Sequence, residues 1–121
     1  MYHGVDSRGV IMPKPSDLLQ GTLDLLILKI LARSGSLHGY AIAQRIHQAT
    51  QECLRIEEGS LYPALHRMTN DKWLRAEWGV TETNRKARIY TITAAGHRQL
   101  QDIEQRWTEL TQAVGRALRF A

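Results

Sequence analysis

Cysteine is nearly missing from this chain. Cys53 stands alone among 121 residues, which excludes an internal disulfide and suits a reducing cytoplasm, the expected compartment. Long apolar runs are missing too. The longest, Leu25 to Leu31, is interrupted by Lys29 and falls well short of the roughly 20 residues that span a bilayer, so no membrane partner is expected. The N-terminus lacks the charged, then apolar, then small-residue order of a signal peptide. An excess of one charge is largely absent: the formal net charge of +4 is a modest bias toward polyanions. The constellations of catalysis are not there either. There is no Ser-His-Asp pattern, no Gly-rich phosphate loop, and no carboxylate pair standing clear of salt-bridge explanations, so an enzyme is not expected. The five histidines, at positions 3, 38, 47, 66 and 97, and Cys53 show no short ligand spacing, so neither a metal site nor a cofactor is expected.

What is present is enough for one domain. Hydrophobic residues make up 43% of the chain, with three Trp and four Tyr among them, so a core can be filled. Residues 1–15 contain Gly, Pro, Ser and scattered polar residues without a period and read as a flexible tail. Met12 is a candidate start codon, with the residues before it an upstream or added extension; a longer native arm is the alternative. Ser16 or Asp17 can cap a helix running to about Arg33. Its leucines and isoleucines leave little polar face, which implies burial on several sides; a partner chain is the simplest cover. Gly35-Ser36 ends it. A second helix, about Tyr40 to Thr50, carries Ile42, Ile46 and Ala49 as its inner stripe. His38 and His47 fit solvated or capping roles better than ligand roles. Leu54-Arg55-Ile56 reads as a short strand.

The stretch Glu57 to Met68 is the centre of the pattern. Leu61, Leu65 and Met68 fall at i, i+4 and i+7, so one helical stripe is apolar. Ser60, Tyr62, Pro63, His66, Arg67 and Asn70 lie mainly off it. Ser60 is the expected N-cap, with Pro63 in the first turn, where its missing N–H costs nothing; a start near Glu57 would distort that turn. Free N–H groups at such an end suit a phosphate. A plain surface helix with one buried side is the simpler reading of this segment alone.

From Trp73 the period changes. Leu74, Ala76, Trp78 and Val80 alternate with polar residues, and a second alternation runs from Arg88 to Thr93. This is a β-hairpin whose loop, Glu82 to Ala87, carries Arg85 and Lys86 near its tip. It reads either as a solvated loop or as a wing touching DNA phosphates. Thr93 can then cap a last helix. Leu100, Ile103, Trp107, Leu110, Val114 and Ala117 follow in alternating steps of three and four, an a/d seam. Packing on its own domain is one reading; pairing with the same helix of a second chain is the favoured one.

The order helix, helix, helix, hairpin, long helix gives a mainly α fold with a small β-hairpin (α+β): a winged helix-turn-helix with a C-terminal dimerisation helix. The expected division is a tail over 1–15, a DNA-binding domain over 16–93 and a dimerisation helix over 94–121. The runs Leu23-Asp24-Leu25-Leu26-Ile27-Leu28, His38-Gly39-Tyr40-Ala41-Ile42, Gly59-Ser60-Leu61-Tyr62-Pro63-Ala64-Leu65 and Arg88-Ile89-Tyr90-Thr91-Ile92-Thr93-Ala94-Ala95-Gly96 resemble the successive signatures of the PadR family of bacterial transcription regulators. The segment Met12 to Thr22 resembles the start of its acidobacterial-type subgroup. The likeness spans about Leu18 to Val114, and Ser-Leu-Tyr-Pro-Ala-Leu is its specific part.

The resemblance implies a homodimeric DNA-binding repressor whose C-terminal helix packs on the N-terminal helix of the other chain. It implies that Tyr62 and its neighbours face DNA and that Arg85 to Arg88 form the wing. Where the family commonly has Gly or Pro at the wing tip, this chain reads Thr83-Asn84-Arg85-Lys86-Ala87. The expected contacts are Arg67 and His66 at base edges, Ser60, Tyr62 and Pro63 at the same DNA-facing surface, and Arg85, Lys86 and Arg88 at phosphates. The expected dimer contacts are Leu23, Ile27, Leu100, Ile103, Trp107, Leu110 and Val114. The family often answers to small aromatic or drug-like effectors, for which Trp107 is the candidate contact; a large residue filling the seam is the plainer account. The partners expected are thus double-stranded DNA, a second copy of the chain and such an effector. A winged-helix protein-interaction module without DNA binding is the alternative.

Overall fold

The computed structural model describes residues 15–120, with side chains described from residue 21; the expected tail over 1–15 lies outside the described residues except for Pro15, which begins the first helix. The elements run α1 (Pro15–Ser34), β1 (Leu37–His38), α2 (Gly39–Ala49), α3 (Glu58–Asn70), β2 (Leu74–Val80), β3 (Lys86–Ile92) and α4 (Ala94–Phe120). This is the α+β arrangement expected, with one addition. β1 pairs antiparallel with β3, Leu37 opposite Tyr90 and His38 opposite Ile89, so the sheet has three strands in the order β1-β3-β2. The expected strand at Leu54–Ile56 does not form. That segment has no ladder partner, and Leu54 is exposed.

One core holds the helices and the base of the sheet. Ile27, Leu28 and Leu31 of α1, Ile42 and Ile46 of α2, and Leu61, Leu65 and Met68 of α3 are completely or almost completely buried. Leu74, Tyr90 and Leu100 close it from the strands and α4. Leu23 and Ile27, read from the sequence as dimer contacts, are covered by their own chain, as is Leu100. The apolar girth of α1 is explained by contact with α2, α3, β3 and α4 at once.

Local chemistry fixes the joints. The His38 Nδ1 accepts the Ala41 N–H at 3.3 Å, so His38 caps α2. The Thr93 hydroxyl accepts the Gly96 N–H at 3.0 Å and donates to the Lys72 carbonyl at 2.6 Å, capping α4 while tying it to the start of the hairpin. Gly96 is buried where no side chain fits: a Cβ would stand 2.2 Å from the Trp73 carbonyl oxygen. Lys29 of α1 meets Glu104 of α4 at 3.0 Å. Beyond that ion pair α4 leaves the body of the domain. Every residue from Gln105 to Phe120 is exposed except the half-buried Gly115. At 1.5 Å per residue this arm extends roughly 24 Å.

Candidate nucleic-acid interface

Helix α3 begins earlier than its sequence suggests. Glu57 is the N-cap residue, and the N–H groups of Ser60 and Leu61 both donate to the Glu57 carbonyl, at 3.0 and 2.9 Å. Ser60 is therefore inside the first turn, not the cap, and Pro63 lies within the helix. Pro63 cannot donate to the Gly59 carbonyl, and its ring crowds that carbonyl; residue 59 being glycine gives the turn room to adjust, with open space around its Cα. The early start places Glu57 and Glu58 at the positive end of the helix. Two carboxylates there repel a phosphate, so the helix end is not the phosphate seat that a start at Ser60 would have made.

The two faces of α3 separate cleanly. Leu61, Ala64, Leu65 and Met68 are buried, and Ser60, Tyr62, Pro63, His66 and Asn70 are exposed. Arg67 corrects the sequence reading. Its guanidinium turns toward α1 and donates to the Asp24 carboxylate at 2.6 Å, away from the exposed face. Asp24 is buried, and burial raises its pKa above the usual 3.8, with Arg67 pulling it back down and Asp71 adding to the rise. A buried carboxylate of this kind must be paired, and Arg67 is the partner. This ion pair, and not a base edge, is the role the structure gives the Arg67 guanidinium.

Tyr62 joins α3 to α2. Its ring lies over Gly39, where a Cβ would come within 2.8 Å of Tyr62 Cε1, so the helix-turn-helix closes only because residue 39 has no side chain. From there a groove of about 1110 Å³ opens between α2, Tyr62 and the wing. Its helical wall presents Tyr40, Gln44, Arg45 and Gln48, and its wing wall presents Trp78, Val80, Arg85, Lys86 and Arg88. The wing wall follows from register. Trp78 pairs with Arg88 and Val80 with Lys86, so these four side chains share the face that carries Ala76 and Tyr90 into the core. The tip is a tight loop in which Thr81 N–H donates to the Arg85 carbonyl at 2.8 Å and Asn84 N–H to the Thr81 carbonyl at 2.9 Å. Asn84 takes φ 62° there, a conformation asparagine tolerates. The loop thus closes with Asn in the role that Gly would fill.

The structure brings Tyr62, Arg85, Lys86 and Arg88 to one groove and leaves Ser60, Pro63 and His66 on the exposed side of α3. Sequence reasoning missed Tyr40, Gln44, Arg45 and Gln48 as groove residues, because the α2 pattern reports only which residues face inward. The alternation that reads as a half-buried strand includes Trp78 and Val80 with Leu74 and Ala76, yet Trp78 and Val80 are 70% and 62% exposed. The alternation that marks the stripe continues past the point where the core ends. Among the described residues no group of three or more His, Cys, Asp or Glu could hold a metal ion, and no helix is long and apolar enough to cross a membrane.

A helix-turn-helix with an exposed second helix, flanked by a cationic hairpin, defines a winged-helix DNA-binding regulator. The comparisons with known proteins place it more closely. The model of the PadR-like family of transcriptional regulators matches residues 27–102, and the chain belongs to that family, whose members are regulators and not enzymes. A transcriptional regulator from Clostridium thermocellum superposes with a TM-score of 0.74 at 27% identity, covering 83% of this chain and 96% of that one. A PadR family regulator from Eggerthella lenta gives a TM-score of 0.70 at 29% identity over 85% of this chain and 87% of that one. An uncharacterized protein of Lysinibacillus sphaericus is 28% identical over 99 residues, 82% of this chain and 90% of that protein.

Proposed function

We propose that the protein is a homodimeric repressor that occupies a near-palindromic operator. The observation that carries this reading is the groove shared by Tyr62 of α3 and the wing cations Arg85, Lys86 and Arg88, with His66 and Ser60 exposed on the same helix. In this arrangement α3 enters a major groove, His66 meets base edges, Ser60, Tyr62 and Pro63 approach base edges or backbone, and the wing cations meet phosphates across the adjoining minor groove.

The second part of the reading is the pair. Trp107, Leu110, Val114 and Leu118 lie on one face of the α4 arm and are 42%, 49%, 47% and 71% exposed. An apolar stripe on a helical arm that is exposed in the single chain favours a second chain, since isolated helices are marginal in water. Leu25, Leu26 and Ile30 of α1 are only partly buried and offer the partner arm a surface. Pairing sets two α3 helices about one turn of DNA apart, which makes the operator two-fold symmetric. Bound protein then excludes the transcription machinery. A small aromatic or drug-like effector seated against Trp107 releases the operator only if it binds better to a pair whose α3 helices are spaced differently.

Selection of bound fragments from the source genome tests this directly. The expected result is one enriched, near-palindromic sequence beside the protein's own gene, with protection of both half-sites. Enrichment of an asymmetric single site, or of none, overturns it.

A further inference from the structure

The wing carries an aromatic residue in the wrong place for a core. Trp78 is 70% exposed, and Val80 beside it on the same face is 62% exposed. Neither is covered by α2 or α3. The face behind them is closed: the Ile89 side chain lies across Gly79, where a Cβ would meet Ile89 Cγ1 at 2.6 Å, which braces the hairpin. The Arg88 guanidinium sits over the Trp78 ring, 5.4 Å from its centroid, a cation–π contact that holds both groups in one orientation. Among the described residues, the groove in front of them is lined by Arg45, Arg85, Lys86 and Arg88 against a single carboxylate, Glu82; Arg45 also donates to the Ser34 hydroxyl at 3.0 Å. The complement of an aromatic plate set among cations is a polyanion with flat or apolar faces between its charges.

We propose that Trp78 is a contact residue for one sugar–phosphate strand of the operator duplex, its ring packing on deoxyribose while Arg88, held by that ring, meets the adjoining phosphate. The proposal rests on the DNA reading above and names a specific part of it. It divides the wing into two chemical jobs. Lys86 and Arg88 neutralise phosphates and release counterions, so their contribution depends on salt. Trp78 contributes through apolar contact, so its contribution does not.

The test is a titration of the full chain with about three turns of mixed-sequence duplex and, separately, with the selected operator, over a series of salt concentrations. The variants are Trp78→Ala, Trp78→Phe and Arg88→Ala. Trp78→Ala is expected to weaken binding about tenfold at every salt concentration with an unchanged slope. Trp78→Phe, which keeps a ring, is expected to recover most of that loss. Arg88→Ala is expected to reduce the slope of log affinity against log salt by about one unit. Trp emission of the wild type should fall on adding duplex, and Trp78→Phe should abolish that change despite retaining Trp73 and Trp107. Wild-type affinity and slope for Trp78→Ala, with the emission change intact, overturn the proposal while leaving DNA binding standing. A changed association state of DNA-free Trp78→Ala also overturns it, because the plate would then face a second copy. Failure of the wild type to bind any duplex at low salt overturns the DNA reading itself. Thermal unfolding of each variant checks the fold, which an exposed position should leave unmoved.

Discussion

Replacing Trp107 by Ala probes the proposed pair where the structure gives a magnitude. The Trp107 side chain is 42% exposed in the single chain. A buried Trp removes up to about 250 Å² from water, so roughly 100 Å² is left for a partner to cover. At about 25 cal/mol per Å² this is close to 2.5 kcal/mol per chain. A two-fold pair contains the residue twice, giving about 5 kcal/mol, or between three and four powers of ten in the dissociation constant. Repacking of Leu110 and Val114 around the alanine lowers that ceiling, and a weakening of at least about a hundredfold is expected. Sedimentation velocity over a wide concentration range measures it. Far-UV circular dichroism supplies a second reading, because the residues from Gln105 to Phe120 are exposed in the single chain apart from Gly115, and their helix should fray as the pair separates. Gln105→Ala is the control: Gln105 points to the opposite side of α4, where it donates to Glu109 at 3.2 Å, and its loss should leave the association constant alone. A shift smaller than tenfold for Trp107→Ala, or a wild type that sediments as a single chain at every concentration, would refute the argument.

Arg67→Met should destabilise the fold by about 2 kcal/mol at neutral pH, less than for a fully enclosed ion pair because the Arg67 side chain is 33% exposed; denaturant unfolding measures it, and no loss would mean Asp24 is satisfied by other means. Asp24 also has a sign in pH. Its pKa is raised above 3.8 in the folded chain, so its contribution is fully present below that value and is lost as pH rises through the folded value. The stability advantage of wild type over Asp24→Asn should therefore widen as pH falls from neutral toward 4, and a constant difference would exclude the linkage. Lys86→Ala should weaken binding to every duplex and lower the salt slope by about one unit; an unchanged slope removes the wing tip from the phosphate contacts. Two glycines of α4 should respond oppositely to alanine. Gly96→Ala drives a Cβ into the Trp73 carbonyl and should cost about 3 kcal/mol. Gly115→Ala meets only the movable Arg119 side chain at 3.4 Å and should stabilise the arm by roughly 0.5–1 kcal/mol; equal effects in thermal unfolding would contradict the packing described.

Periodicity carried most of the fold. The spacing of Leu61, Leu65 and Met68 identifies the buried side of α3, and all three are buried. The alternation around Leu74 and Tyr90 identifies the hairpin, and Thr93 announces the α4 cap. What periodicity does not carry is anything decided by a distant segment. β1 is two residues long and exists only because Tyr90 and Ile89 lie beside it. Leu54–Ile56 has the composition of a strand but pairs with neither edge of the sheet. Both are settled by pairing across the fold, which local pattern does not report.

The site was legible to the same limit. Exposed positions on α3 and cations at the hairpin tip can be placed from spacing alone, because a helix face and a strand face are local properties. Where a long side chain goes is not local. Arg67 lies off the apolar stripe, as expected, yet its guanidinium is drawn to Asp24, 43 residues earlier, since a buried carboxylate attracts the nearest cation more strongly than water retains it. Trp78 is the converse. Its alternation with polar neighbours argues for burial, but the hairpin extends beyond the domain, and register then carries the same stripe out into the groove beside Arg88 and Lys86. A wing is a strand pair longer than the core it leaves. The first residues past the core edge keep the inward pattern while losing its cover, and in this chain they form the groove wall that faces Tyr62.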